Sequence, residues 1–334
     1  MTNPTRSLVK RPVRAAIMML LSTIAWGASF PLQKAAILAE LAVTPGMATW
    51  VQSALLLGVR FAICAVIMVL WLLARRERMT PREWSQGLML GVFSSCGLLL
   101  QVDGLNYTEA STSAFITQCY CVIIPIWVAL RHQRMPSVLL ATCCVSVIVG
   151  VAILSGIDPR NMKLGRGEWE TVISSLFFTA QILWLERGEY AGNNSGHVSL
   201  AMYLMIALIQ LPIAIMGAGH VGVLVAPLAS HAVLGLLVAL VLFCTLLAFG
   251  IMNHWQPHLE ATQAGLICRG EPLFASIFAL FAPALISQWC HVSYANEPLT
   301  WRLMLGGGLI LGANLVVLLR QTGSTEAARR NRPD

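Results

Sequence analysis

Charge is what this chain has least of. Asp, Glu, Lys and Arg make up 11% of its 334 residues, where a soluble domain carries about 25%. Hydrophobic residues are 57% and mean hydropathy is +0.72. A water-soluble globule is excluded and an integral membrane protein is implied. The sequence has no glycine-rich phosphate-cradling loop, which removes ATP as a power source. Its nine cysteines have no metal-ligand spacing. Cys119/Cys121 and Cys143/Cys144 sit inside apolar runs and read as small core residues. Only Cys290 falls in an expected outer loop, so no structural disulfide is expected. No cleavable leader is recognisable, because the basic start runs straight into a full-length apolar segment. His254 and His258 have the i, i+4 spacing of metal ligands but lack the intervening glutamate of a zinc protease. No metal, no cofactor and no catalytic residue is expected.

What is present is ten apolar segments, near 14–36, 50–74, 85–104, 109–130, 136–155, 168–186, 197–218, 231–252, 259–282 and 301–320. Arg6, Lys10, Arg11 and Arg14 precede the first, and Arg75, Arg76, Arg78 and Arg82 separate the second from the third. Arg131 and Arg134 separate the fourth from the fifth; Arg320, Arg329, Arg330 and Arg332 follow the tenth. If ten segments alternate in direction, all four clusters fall on one side. The other side holds only Arg160, Lys163, Arg166 and Arg302. The net charge of +7 therefore reads as cytoplasmic loop charge, with both termini inside, rather than as a nucleic-acid surface.

The most unusual segment is 258–282, HLEATQAGLICRGEPLFASIFALFA. It is long enough to cross a bilayer, which takes about 20 residues, yet carries Arg269, Gly270, Glu271 and Pro272 near its middle. Read as one continuous helix, it puts Glu271 about 18 Å along the axis, close to the bilayer centre. Charge at that depth persists when it faces a protein interior or a watery cavity. Pro272 adds a backbone carbonyl, near Cys268, without its usual donor. An echo lies upstream in YTEASTSAFITQCYCVIIPIWVAL, 107–130. Glu109-Ala110-Ser111 matches Glu260-Ala261-Thr262, and Pro125 stands for Pro272, which makes Ile124 the counterpart of Glu271. Trp26–Lys34 aligns with Phe178–Glu186, and Ser146 and Gly150 align with Gly308 and Gly312 as small-xxx-small pairs. The expected fold is an all-α polytopic membrane protein with ten transmembrane helices in two inverted five-helix repeats. The repeats span 1–155 and 156–322, followed by a basic cytoplasmic tail at 323–334. Inverted repeats place a binding site near the midplane.

These residues resemble a known family. WGASFPLQKAA in the first segment resembles the tryptophan-glycine-small opening of the EamA-like proteins of the drug/metabolite transporter superfamily. GVRFAICAVIMVLWLLARRER is similar to the arginine-phenylalanine start and basic end of their second helix. YTEAS, HLEAT and EPLFASIFAL resemble the recognisable stretches of the repeat. One departure is SQWCHVSYANEP at 287–298, longer than the family's usual glycine-glutamate turn. The resemblance implies alternating access to a central cavity and activities such as metabolite export or drug efflux.

The expected function is a secondary transporter, an exporter, of small polar or amphipathic metabolites such as amino-acid-like compounds or drugs. Its expected partners are that substrate and the lipid bilayer of a plasma membrane, with no nucleic acid. Arg60, Arg269 and Glu271 are the most deeply placed ionisable residues. Arg269 and Glu271 are two apart and point to different helix faces. Either they touch substrate or they form buried ion pairs that lock helices. Gln118 and Gln181 either orient a polar substrate or bond across helices. Trp26, Tyr120 and Trp184 either line a cavity or pack. Lys34 either contacts substrate or snorkels to the interface. A membrane-embedded lipid-modifying enzyme would need His and acidic residues clustered on one membrane face, whereas the five loop histidines divide between the two. A structural partner subunit is the other alternative.

Overall fold

The computed structural model describes residues 12–131, 133, 135, 137–156, 164–185, 187–259 and 261–330. Glu186, Glu260, Arg160, Lys163, Arg6, Lys10, Arg11, Arg134 and Arg332 lie outside them. The described residues are helical, with no strand. In chain order the helices are α1 (Pro12–Val43), α2 (Thr49–Arg75), α3 (Pro81–Gly104), α4 (Ala110–Thr117), α5 (Tyr120–Arg131), α6 (Val138–Leu154) and α7 (Arg166–Leu185). They continue with α8 (Ser195–Ala218), α9 (Val221–Ala229), α10 (His231–Val241), α11 (Ala248–Trp255), α12 (Ala261–Cys268), α13 (Glu271–Cys290) and α14 (Trp301–Arg330). A six-residue π-helical turn, Leu242–Leu247, joins α10 to α11.

Among the described residues, eight spans are long and apolar enough to cross a membrane. The expected segments near 136–155 and 168–186 are helices of 17 and 20 residues, α6 and α7, that are not among the eight. Helix α1 runs seven residues past its expected end, and the nine-residue α9 occupies what the sequence reads as a loop. Large apolar side chains on the outer faces stay exposed, among them Leu70, Leu73, Ile148, Leu208 and Met216. That costs nothing where the surrounding medium is lipid.

The segment 259–282 is not one helix. It stops after the eight residues of α12 and restarts at Glu271, with Pro272 in the first turn of α13, where the missing N–H is no loss. The same happens upstream: α4 is also eight residues long, and α5 restarts at Tyr120 after a two-residue break. Both breaks are two residues long after an eight-residue helix, so by position Tyr120, rather than Ile124, opens its helix as Glu271 opens α13. Pro125 lies inside α5, whereas Pro272 lies in the first turn of α13.

Helix α1 packs on α13, α3 on α7, and α2 and α3 on α8, while α6 packs on α14. Small residues allow the closest approaches. A Cβ on Gly27 would lie 2.6 Å from Phe274 Cβ and 2.8 Å from the Ala275 nitrogen, so α1 and α13 touch backbone to backbone there. Gly150 meets Gly306 and Ile310 of α14, whereas Gly308 and Gly312 have nothing within 4 Å. The α6–α14 seam therefore uses Gly306 and Ile310, two residues from Gly308 and Gly312 and on the opposite face of α14. We call the end of the bundle where α1 begins proximal and the end where it finishes distal.

Candidate functional site

A cavity of about 250 Å³ lies between α1, α2, α3, α7, α8, the π-helical turn and the two helix breaks. Its polar lining is Ser29, Gln33, Arg60, Ser94, Gln101, Thr117, Tyr120, Gln181 and Glu271. Its apolar wall includes Trp26, Phe30, Phe61, Phe178, Met202 and Phe249. Trp26 and Phe249 meet edge to face at 5.3 Å, and Phe61 and Phe249 both lean on Tyr203. A few placed polar groups on aromatic walls is the usual make-up of a small-molecule site.

Arg60 is buried, 6% exposed. Its Nε donates to Thr245 Oγ1 at 2.9 Å and one terminal nitrogen donates to Gln33 Oε1 at 3.0 Å. The guanidinium lies 5.3 Å from the Phe61 ring centroid, within reach of a cation–π contact. Thr245 in turn donates to the Leu240 carbonyl five residues back, the spacing that a π-helical turn creates. Among the described residues no carboxylate comes within ion-pair distance of Arg60, and no cation comes within that distance of Glu271. The cavity therefore presents one guanidinium and one carboxyl group, neither in an ion pair with the other or with a third described residue.

Of the nine candidates read from sequence, Arg60, Glu271, Trp26, Tyr120 and Gln181 line this cavity together. The other four do not. Gln118 is buried against α14, its carbonyl accepting from Asn314 Nδ2 and its side chain from the Cys121 thiol. Arg269 lies in the break between α12 and α13, beside Cys121, and does not line the cavity. Trp184 meets Phe93 edge to face and Tyr190 at a tilt, under the Arg187 guanidinium, toward the proximal end. Lys34 sits distal to the cavity. There it donates to the Thr108 carbonyl at 2.8 Å and pairs with Glu109 at 3.2 Å, so it is neither a cavity group nor a free snorkelling chain.

Sequence reasoning missed Ser94, Thr117 and Thr245, while Gln33 and Gln101, which read as able to orient a substrate or bond across helices, do line the cavity. Gln101 donates to Thr117 Oγ1 at 2.8 Å across α3 and α4. A glutamine or hydroxyl in an apolar run was the available signal, but many others share it. Around Lys34 the distal side is knitted by acids. Glu297, in the 287–298 run, accepts from the Ala110 and Ser111 amides at the start of α4, and Glu168 accepts from Thr108. Burial, with the Glu109 carboxylate beside it, pushes Glu297 above the ordinary carboxylate range.

Helices of membrane-crossing length around a polar cavity define the chain as a multi-pass membrane protein. Residues 13–156 match the EamA-like transporter family, and over that stretch the expected kinship to EamA-like proteins is borne out. A protein of Archaeoglobus fulgidus described as an uncharacterized transporter is 25% identical over 318 residues, covering 93% of this chain and 88% of its own. A solved crystal structure, 13% identical, covers 96% of this chain and 99% of its own with a TM-score of 0.55, a likeness of fold alone.

Proposed function

We propose that this chain is a secondary transporter for small zwitterionic or amphipathic metabolites of the amino-acid type, working as an exporter by alternating access. The observation that carries the reading is the pair of uncompensated charges in one cavity. Arg60 is set to receive a substrate carboxylate and Glu271 a substrate ammonium, with the aromatic wall taking the apolar remainder. In this reading ten crossings form two inverted repeats, α6 and α7 being the short or less apolar ones. Two features support it. The helix breaks recur in matching places, and the packing of α1 on α13 has its counterpart in α7 on α4 and α5. The proximal end, which carries Arg75, Arg76, Arg78 and Arg82, is then cytoplasmic.

Proteoliposomes holding the pure protein test the function. They should move at least one member of an amino-acid and amphipathic-amine panel that empty liposomes do not. Arg60→Met orphans no carboxylate, because Arg60 has no acid partner, so the variant should fold. A hydrogen bond to a charged group is worth about 1.5–3 kcal/mol, so uptake of a carboxylate-bearing substrate should fall roughly 10- to 150-fold. The decarboxylated amine should be affected far less. Equal loss for both, or none for either, refutes the assignment. Orientation is tested with impermeant thiol reagent after removal of native cysteines: Ser293→Cys should label in intact cells, and Arg78→Cys and Ser324→Cys should not.

A further inference from the structure

We infer that the distal end of the α1–α2 hairpin holds a buried site for a small monovalent cation, built from Glu40, Gln52 and Ser53. This goes beyond the transport reading and does not depend on it. Glu40 is 1% exposed, and Gln52 and Ser53 are 0% exposed. Neither carboxylate oxygen of Glu40, neither amide atom of Gln52 nor the Ser53 hydroxyl has a hydrogen-bond partner. Buried polar side chains almost always find partners, so five orphaned atoms in one hairpin call for a common explanation.

The chain places the three at one level. Residues 44–48 link the two helices, and Glu40 and Gln52 each stand four residues from that link. Deeper in the bundle, Gln33 of α1 bonds Arg60 of α2. Glu40 is seven residues after Gln33, and Ser53 seven residues before Arg60. Seven residues is nearly two full turns and about 10 Å of rise. In an antiparallel pair, the faces that meet at Gln33 and Arg60 thus also carry Glu40 and Ser53, with Gln52 adjoining. The surroundings are apolar: Ala36, Ile37 and Ala39 flank Glu40, and the cluster of Val51, Ala54, Leu55 and Leu224 flanks the other two.

An ionised carboxylate in such a place is very costly unless it is paired or neutralised. The basic groups nearest along these helices are already engaged, Lys34 with Thr108 and Glu109 and Arg60 with Gln33 and Thr245. A proton on Glu40 would remove the charge and supply one O–H donor, which can serve only one of the amide and hydroxyl oxygens. A cation satisfies carboxylate, amide and hydroxyl oxygens together, four of the five orphaned atoms, and hard cations prefer such an all-oxygen set. One carboxylate balances one positive charge, which selects a monovalent ion.

The probe is sodium. Thermal unfolding of the full-length protein in detergent should show a saturable rise of Tm with NaCl, against choline chloride at equal ionic strength. The rise should be on the order of 3 °C at ten times Kd. Glu40→Gln should abolish the sodium dependence and leave a Tm in choline at or above that of the wild type. Ser53→Ala should weaken the apparent sodium affinity several-fold, and it serves as the test if Glu40→Gln does not fold. Equal Tm in sodium and choline overturns the inference. So does a sodium effect that survives both substitutions undiminished, or a stabilisation that follows acidification alone.

Discussion

The clearest structural test lies at the proximal end, away from the cavity. His197, 6% exposed, stands between two carboxylates: Nε2 is 2.9 Å from Glu77 Oε2 and Nδ1 is 3.1 Å from Glu83 Oε2. A neutral imidazole has one donor, and an ionised carboxylate only accepts, so both contacts are hydrogen bonds only when the ring carries two protons. Glu83 also accepts from the Thr80 and Asn194 amides, which ties the α2–α3 link to the start of α8. His197→Ala removes two charge-assisted bonds, each worth about 1.5–3 kcal/mol. The Glu77 bond belongs at the low end because that side chain is 34% exposed. Glu83 keeps its two amide donors and is not left wholly unsatisfied. The net loss should be about 2–4 kcal/mol, which lowers Tm by several degrees. Glu83→Gln alone should cost less, and a double-mutant cycle should give a coupling of about 1–3 kcal/mol. Substrate KM in liposomes should stay unchanged, since none of these residues lines the cavity. A Tm for His197→Ala equal to wild type, or a coupling near zero, would refute the clamp.

Gly27→Val should separate α1 from α13, because the new side chain meets Phe274 and the Ala275 backbone. Overpacking of this kind costs about 1–3 kcal/mol, read as a lower Tm together with reduced transport. Arg166 bonds Asp103 at 2.6 Å and Glu170 at 2.7 Å, and Asp103 is 4% exposed. Arg166→Gln should therefore cost up to about 3–5 kcal/mol, the cost of orphaning a buried charge, while Glu170→Gln should be mild. Both are read by thermal unfolding. For Glu297, the folded-state pKa is raised, so the folded protein holds this proton more tightly than the unfolded chain. That stability is fully present below the unfolded carboxylate value and is lost as pH rises through the folded value. Glu297→Gln should flatten the pH–Tm profile just above the ordinary carboxylate range. An unchanged slope there would show that Glu297 does not titrate in this window.

By itself the sequence determined the solvent and the kind of site. Scarce charge and repeated apolar runs leave no alternative to lipid, because such a chain cannot be covered by its own polar groups. The residues that broke the apolar pattern, Arg60, Glu271 and Gln181, were legible for the same reason, since an exception at membrane depth needs a polar neighbourhood. Tertiary structure alone decided which exceptions share a neighbourhood. Helical periodicity fixes the angle between residues on one helix but not which partner each face meets. Gln118 and Gln181 look alike in sequence, yet one faces α14 and the other the cavity. Arg269 and Glu271 were expected on different faces of one helix; the break between α12 and α13 leaves Arg269 in the break and Glu271 at the start of α13, and of the two only Glu271 lines the cavity. Thr245 was invisible because its role comes from a π-helical turn and an arginine 185 residues away. Such contacts form only when helices distant in the chain close around one space, and no local pattern encodes that closure.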